Sequence, residues 1–127
     1  MKTKNMVAGI AALVLLIFAG TGSLVAAETS EWMFHDLVDL DFVARHVAVP
    51  PADDVMIIDA RPKRAKYDKG HIPGAVSIPD TEFDKHVDKL PADKTTLVIY
   101  YCEGVKCKLS HKSAKKAEAL GIPVVWR

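Results

Sequence analysis

A chain of 127 residues with 17 Lys and Arg against 16 Asp and Glu has room for one domain at most. Its near-neutral balance excludes the clustered basic face that a nucleic-acid binder needs. Lys112, Lys115 and Lys116 form only a small basic group, which reads as the solvated side of a helix.

The first 27 residues stand apart. Lys2 and Lys4 precede an apolar run from Met6 to Ala19, no charge follows before Glu28, and Val25-Ala26-Ala27 offers a small-residue cleavage site. Those are the three parts of a secretory signal cut after Ala27. The stretch is also long enough to remain as an anchor, but glycines and small residues dilute its end, and cleavage is the expectation. No cysteine follows the run, which argues against a lipoprotein. The expected product is periplasmic or secreted, has no membrane attachment, and comprises a domain over residues 28–127 with 15 basic against 16 acidic residues.

Glu28 to Asp36 is polar and reads as a loose lead-in. Leu40, Val43, Ala44 and Val47 repeat at helical spacing behind Asp39, a candidate N-cap. Pro50-Pro51 breaks that helix, and Val55 to Ile58 is a short apolar run suited to a strand buried on both faces. Ala75 to Ile78 predicts a second strand. Asp80 or Thr81 is placed to cap a helix carrying Phe83, Val87 and Leu90, stopped by Pro91. Thr95 to Tyr101 predicts a third strand, Ser110 caps a helix with Ala114, Ala117 and Leu120 on one side, and Gly121 and Pro123 end it. Val124 begins a last strand. Short apolar strands alternating with helices predict an α/β fold on a parallel sheet.

The chemistry concentrates between Val98 and Ser110, read as strand, loop and helix. Open α/β sheets bind ligands where a strand's carboxyl end meets a helix's amino end, and backbone N–H groups there converge on anions. Cys102 stands at that mouth, with Lys106 and Lys108 close by in sequence. A helix terminus and a lysine favour the thiolate, the form of cysteine that acts as nucleophile; a buried strand residue is the bland alternative. Cys107, five residues on, would close only a tiny loop, so a structural staple is a weak explanation for the pair. The other histidines, His35, His46, His86 and His111, show no metal-ligand spacing, and His111 reads as an exposed helix-start residue. Trp32 and Trp126 are too distant in sequence to interpret.

Asp59-Ala60-Arg61, the run Tyr67 to Ala75 with its Gly70-His71-Ile72-Pro73-Gly74-Ala75 core, and Tyr101-Cys102 with its loop resemble, in order and spacing, the rhodanese domain. The resemblance extends from about Phe42 to Trp126. It implies a three-layer α/β sandwich with a central parallel sheet, and Cys102 as the residue that carries sulfane sulfur from a donor such as thiosulfate to a thiophilic acceptor. Glu103, Gly104, Val105, Lys106, Cys107 and Lys108 would form the substrate loop, with Asp59, Arg61, His71 and Ser110 in support. The resemblance makes Asp59 and Arg61 a brace and His71 a hydrogen-bonded turn residue. The chemistry calls for no metal or organic cofactor, only a small sulfur donor and a thiol or cyanide-like acceptor.

Three departures from the family pattern stand out. The sixth loop position is Cys107 and Ser110 comes two residues late, which lengthens the loop. Related phosphatases clamp phosphate with an arginine where this chain has Lys108, which lacks the planar fork. The family continues past the last strand through a glycine-containing turn to a closing helix; here either the sequence is cut short at its C-terminal end or another segment finishes the sheet. Three readings follow: a sulfurtransferase, a thiol redox or sensor module in which Cys107 attacks a loaded or oxidised Cys102, and a non-catalytic binding domain. Because the family transfers sulfur without a second cysteine, a loop-shaping filler is the role expected of Cys107.

Overall fold

The computed structural model describes residues 31–104 and 106–127; the expected signal over residues 1–27 and loop residue Val105 lie outside them. Four strands, β1 (Val55–Asp59), β2 (Val76–Ser77), β3 (Leu97–Tyr101) and β4 (Val124–Trp126), form one sheet in the order β2-β1-β3-β4. Every pairing is parallel, with Ile57 beside Ile99 and Ile99 beside Val125. Parallel strands need crossovers: β1 reaches β2 through a short 3₁₀ turn (Tyr67–Lys69), β2 reaches β3 through a 3₁₀ segment (Asp80–Lys89), and β3 reaches β4 through helix α2 (Lys108–Ala119), while helix α1 (Leu40–His46) precedes β1.

Alternation along β3 divides the core between two faces. Val98 and Tyr100 pack with Phe83, Leu90, Ala114, Ala117 and Trp126, whereas Ile99 and Tyr101 pack with Val43, Ile57 and Ala75. Layers of helix, sheet and helix result, as expected from the sequence. The small Ala114 and Ala117 let α2 lie close on the sheet, since each is fully buried.

The caps follow the sequence in part. Asp39 caps α1 by accepting from the Phe42 N–H at 2.7 Å. Helix α2 ends in a Schellman motif: Gly121, at φ +77°, donates to Glu118 O, and Ile122 donates to Ala117 O. Gly74 sits at φ +78°, and a Cβ there would come within 2.8 Å of the Ala48 carbonyl, so glycine is required on both counts.

Three expectations are corrected. The lead-in is docked: Phe34 is 1% exposed, Trp126 N–H donates to Asp36 O, and Val38 N–H donates to Trp126 O, both at 2.8 Å. This segment covers the outer edge of β4, whose backbone groups would otherwise lack partners. The helix expected from Asp80 is a 3₁₀ segment interrupted at His86 and without a side-chain cap. Asp80 turns inward instead, accepting from Ser113 Oγ at 2.9 Å and facing Lys116 at 3.3 Å; those partners on α2 take the carboxylate from the capping role. Helix α2 starts at Lys108 with Cys107 in the cap position, not at Ser110. Ser110 is buried and its Oγ accepts from Trp126 Nε1 at 2.6 Å.

Candidate active site

Strand order reverses between β1 and β3, because the chain passes from β1 to β2 on one side and returns to β3 on the other. The crevice beyond their carboxyl ends is the ligand position of an open α/β sheet. The end of β1 and the turn after it supply Asp59 and Arg61, and the end of β3 and the loop after it supply Tyr101 and Cys102.

Asp59 is fully buried. Its Oδ1 accepts from the Arg61 backbone N–H and Nε, both at 2.9 Å, and its Oδ2 from Arg61 Nη2 at 2.6 Å and the Tyr101 hydroxyl at 2.8 Å. Arg61 Nη2 also donates to Gly70 O at 2.8 Å, and the Tyr101 oxygen accepts from the Ile72 N–H at 3.1 Å. The hydrogen bond to Asp59 raises the Arg61 guanidinium above its ordinary pKa. Burial, with Asp59 alongside, pushes the Tyr101 phenol well above its usual range. Arg61 therefore stays charged and Tyr101 protonated, so the network binds rather than exchanges protons. It ties the ends of β1 and β3 to the Gly70–Ile72 turn and holds Tyr101, the residue before Cys102.

His71 is exposed; its ring stacks on Tyr67 at 3.7 Å, and Nδ1 lies 2.9 Å from Tyr67 O. Cys102 and Cys107 are joined in a disulfide with Cα atoms 6.1 Å apart, which corrects the filler role expected of Cys107. The geometry is accessible because β3 ends at Tyr101 and α2 begins at Lys108, so rigid elements hold the two cysteines across a short loop. The Cys107 N–H donates to Gly104 O at 2.9 Å, so that group closes the loop on itself and is not turned to an anion. Glu103 forms an ion pair with Lys66. Lys106 is exposed on an open depression beside Gly104 and Cys107. Lys108 lies with its ammonium 5.5 Å from the centre of the Trp32 ring, a cation–π contact that occupies its charge.

A cavity of about 200 Å³ opens against Cys102, walled by Leu40, Val43, Ile72, Tyr101 and Arg127. Sequence reasoning missed these five. Leu40, 65% exposed, reads from its spacing as a core position of α1, and nothing near Arg127 in sequence points to a cysteine 25 residues earlier. Arg127 Nε is buried without a hydrogen-bond partner among the described residues. A second buried cluster was equally hidden. His111 is not exposed but fully buried, stacked on Trp126 at 3.9 Å, met edge-on by Trp32 at 5.0 Å, and accepting at Nδ1 from the Phe34 N–H at 2.9 Å. His111 lies three residues before Ala114 and shares its buried face of α2.

The rhodanese-like domain model matches residues 44–126. The chain belongs to the rhodanese-like domain family. Over 70 residues this rhodanese-like domain is 33% identical to the HTH-type transcriptional regulator Rv0324 of Mycobacterium tuberculosis, a match covering 55% of the chain and 30% of the regulator. Among solved structures it is similar to the BH2092 protein of Bacillus halodurans, with 26% identity, a TM-score of 0.61, and coverage of 72% of this chain and 64% of that one. It shares the fold of the single domain sulfurtransferase RDL2 of Saccharomyces cerevisiae, at 16% identity and a TM-score of 0.54 over 71% of this chain and 81% of that one. The rhodanese-like domain thus spans less than two thirds of the regulator and of the BH2092 protein.

Proposed function

We propose that this rhodanese-like domain is a sulfurtransferase that moves sulfane sulfur from thiosulfate or a persulfide to a thiophilic acceptor through a persulfide on Cys102. One observation carries the reading: Cys102 follows β3 directly at the switch point, before α2 and on the wall of the cavity. In the reduced protein its thiolate attacks the outer sulfur of thiosulfate. The sulfur–sulfur bond breaks, sulfite leaves with the electron pair, and Cys102 holds the outer sulfur as a persulfide anion. An acceptor thiolate or cyanide then attacks that outer sulfur and releases the Cys102 thiolate. The start of α2, which has no acid in its first turn, favours the anionic states of the cycle. We assign Arg127, with its buried unpartnered Nε–H, to the oxyanion end of the donor, and the apolar wall of Leu40, Val43 and Ile72 to the rest of donor or acceptor.

Export is part of the proposal. The first 27 residues carry the three signal regions, and a disulfide-bonded pair persists in an oxidising compartment.

The test is thiosulfate-to-cyanide sulfur transfer by the reduced wild-type protein and Cys102→Ser. The serine variant is expected to lose the activity while keeping its fold by circular dichroism. Retention of more than about a tenth of the wild-type rate would remove Cys102 from the nucleophile role.

A further inference from the structure

We infer that Cys107 is a resolving nucleophile, which converts the Cys102 persulfide into the Cys102–Cys107 disulfide and releases sulfide. The inference rests on the sulfurtransferase reading and adds a second outcome to the same loaded cysteine. A persulfide has two electrophilic sulfurs. External acceptors take the outer one and regenerate the thiolate. A thiol built into the loop can attack the inner one, and the Cys102–Cys107 bond shows Cys107 Sγ reaching Cys102 Sγ itself.

Three features favour that reaction. The Cα atoms stand 6.1 Å apart, inside the span of about 7 Å that a disulfide bridges without backbone movement. Cys107 occupies the cap position of a 12-residue helix, where the positive end of the helix favours the attacking thiolate. The loop is folded toward closure, since Cys107 N–H already turns back to Gly104 O. A pair separated by five residues constrains the unfolded chain little compared with a long loop, so stabilisation is a weak account of it.

The step balances without an external oxidant. Cys107 thiolate attacks Cys102 Sγ, the bond from Sγ to the outer sulfur breaks, and that sulfur leaves as hydrosulfide after taking up a proton. From thiosulfate and two thiols the products are sulfite, sulfide and one disulfide; the sulfane sulfur is reduced and the cysteines are oxidised. A further cycle needs an external dithiol to reduce the pair by exchange. The loop would thus choose between handing sulfur on and discharging it as sulfide, according to whether an acceptor arrives first.

The experiment is a single turnover. Reduced protein, freed of small thiols, is mixed with thiosulfate; sulfite and sulfide are measured, and intact mass follows the protein. The wild type is expected to release sulfite and then sulfide in similar amounts and to end lighter by two hydrogens. Cys107→Ala and Cys107→Ser are expected to end heavier by one sulfur atom, with sulfide release lower by about tenfold or more. A wild-type protein that holds its added sulfur, with sulfite released but no sulfide, overturns the resolving role and leaves sulfur transfer standing. Absence of sulfite from wild type and variants alike overturns the sulfurtransferase reading and this inference with it. The wild-type arm decides the question even if neither variant folds.

Discussion

Tyr100 and Tyr101 adjoin in β3 and serve opposite faces of the sheet. Tyr101 gives its hydroxyl to Asp59 and so belongs to the brace under Cys102. Tyr100 is fully buried, and its hydroxyl has no hydrogen-bond partner among the described residues. Burial, reinforced by the charge of Asp80, pushes the Tyr100 phenol well above its ordinary value, and burial is also the main cause for Tyr101. Both folded-state pKa values are raised, so the associated stability is complete below the unfolded value of about 10 and is lost as pH rises beyond it. Urea midpoints should therefore fall between about pH 8 and about pH 11. Tyr100→Phe deletes a buried hydroxyl that bonds to none of the described residues; at neutral pH it should leave stability within about 1 kcal/mol of wild type or raise it, and it should shrink the alkaline loss. A destabilisation above about 2 kcal/mol would mean that the hydroxyl is engaged in solution. The Asp59 and Arg61 pair was legible as a brace only through the resemblance. Its third member, Tyr101, carries no sequence mark beyond its place before the cysteine.

Among the elements, the segment from Glu31 to Val38 departs most from its sequence. His35, Asp36 and Glu31 make it look solvated, yet Phe34 and the backbone of Asp36 and Val38 attach it to α2 and the edge of β4. His35 pairs with Glu118 at 2.5 Å, and Lys115 Nζ donates to Glu31 O at 2.5 Å. Both pairs are exposed and contribute little individually. Burial of Phe34 does most of the work, so Phe34→Ala should cost about 3 kcal/mol in chemical denaturation, whereas Leu37→Ala, at a side chain 47% exposed, should cost under about 1 kcal/mol. Equal effects would show that the lead-in is held by its backbone alone. The helix expected behind Asp80 or Thr81, with Phe83, Val87 and Leu90 on one face, shows the same kind of override. Asp80 is a good N-cap residue by type, but Ser113 and Lys116 of α2 offer it partners that exist only once the chain has folded.

At the scale of the whole molecule, the proposed export would set the redox conditions in which the loop works. The exported protein should begin at or near Glu28, as read by intact mass; a chain that keeps Met1 and fractionates with membranes would instead carry an anchor. The two cysteines make that setting consequential, because an oxidising compartment favours their disulfide and a dithiol reductant reopens it. The sequence by itself determined the α/β class, the parallel sheet, the approximate strands and the position of Cys102 at the end of β3. Those follow from local apolar runs, turn residues and a motif of neighbouring positions, all of which the chain writes in order. Only the tertiary structure decided that Cys107 reaches Cys102, that Arg127 and Leu40 wall the same cavity, and that His111 lies between two tryptophans 94 residues apart. It also decided that the lead-in covers β4. Except for the disulfide, which spans five residues, each of these joins segments remote in sequence, and such contacts depend on where the sheet order carries a side chain. Local periodicity records how a residue faces its own element; it does not record which other element will be there to meet it.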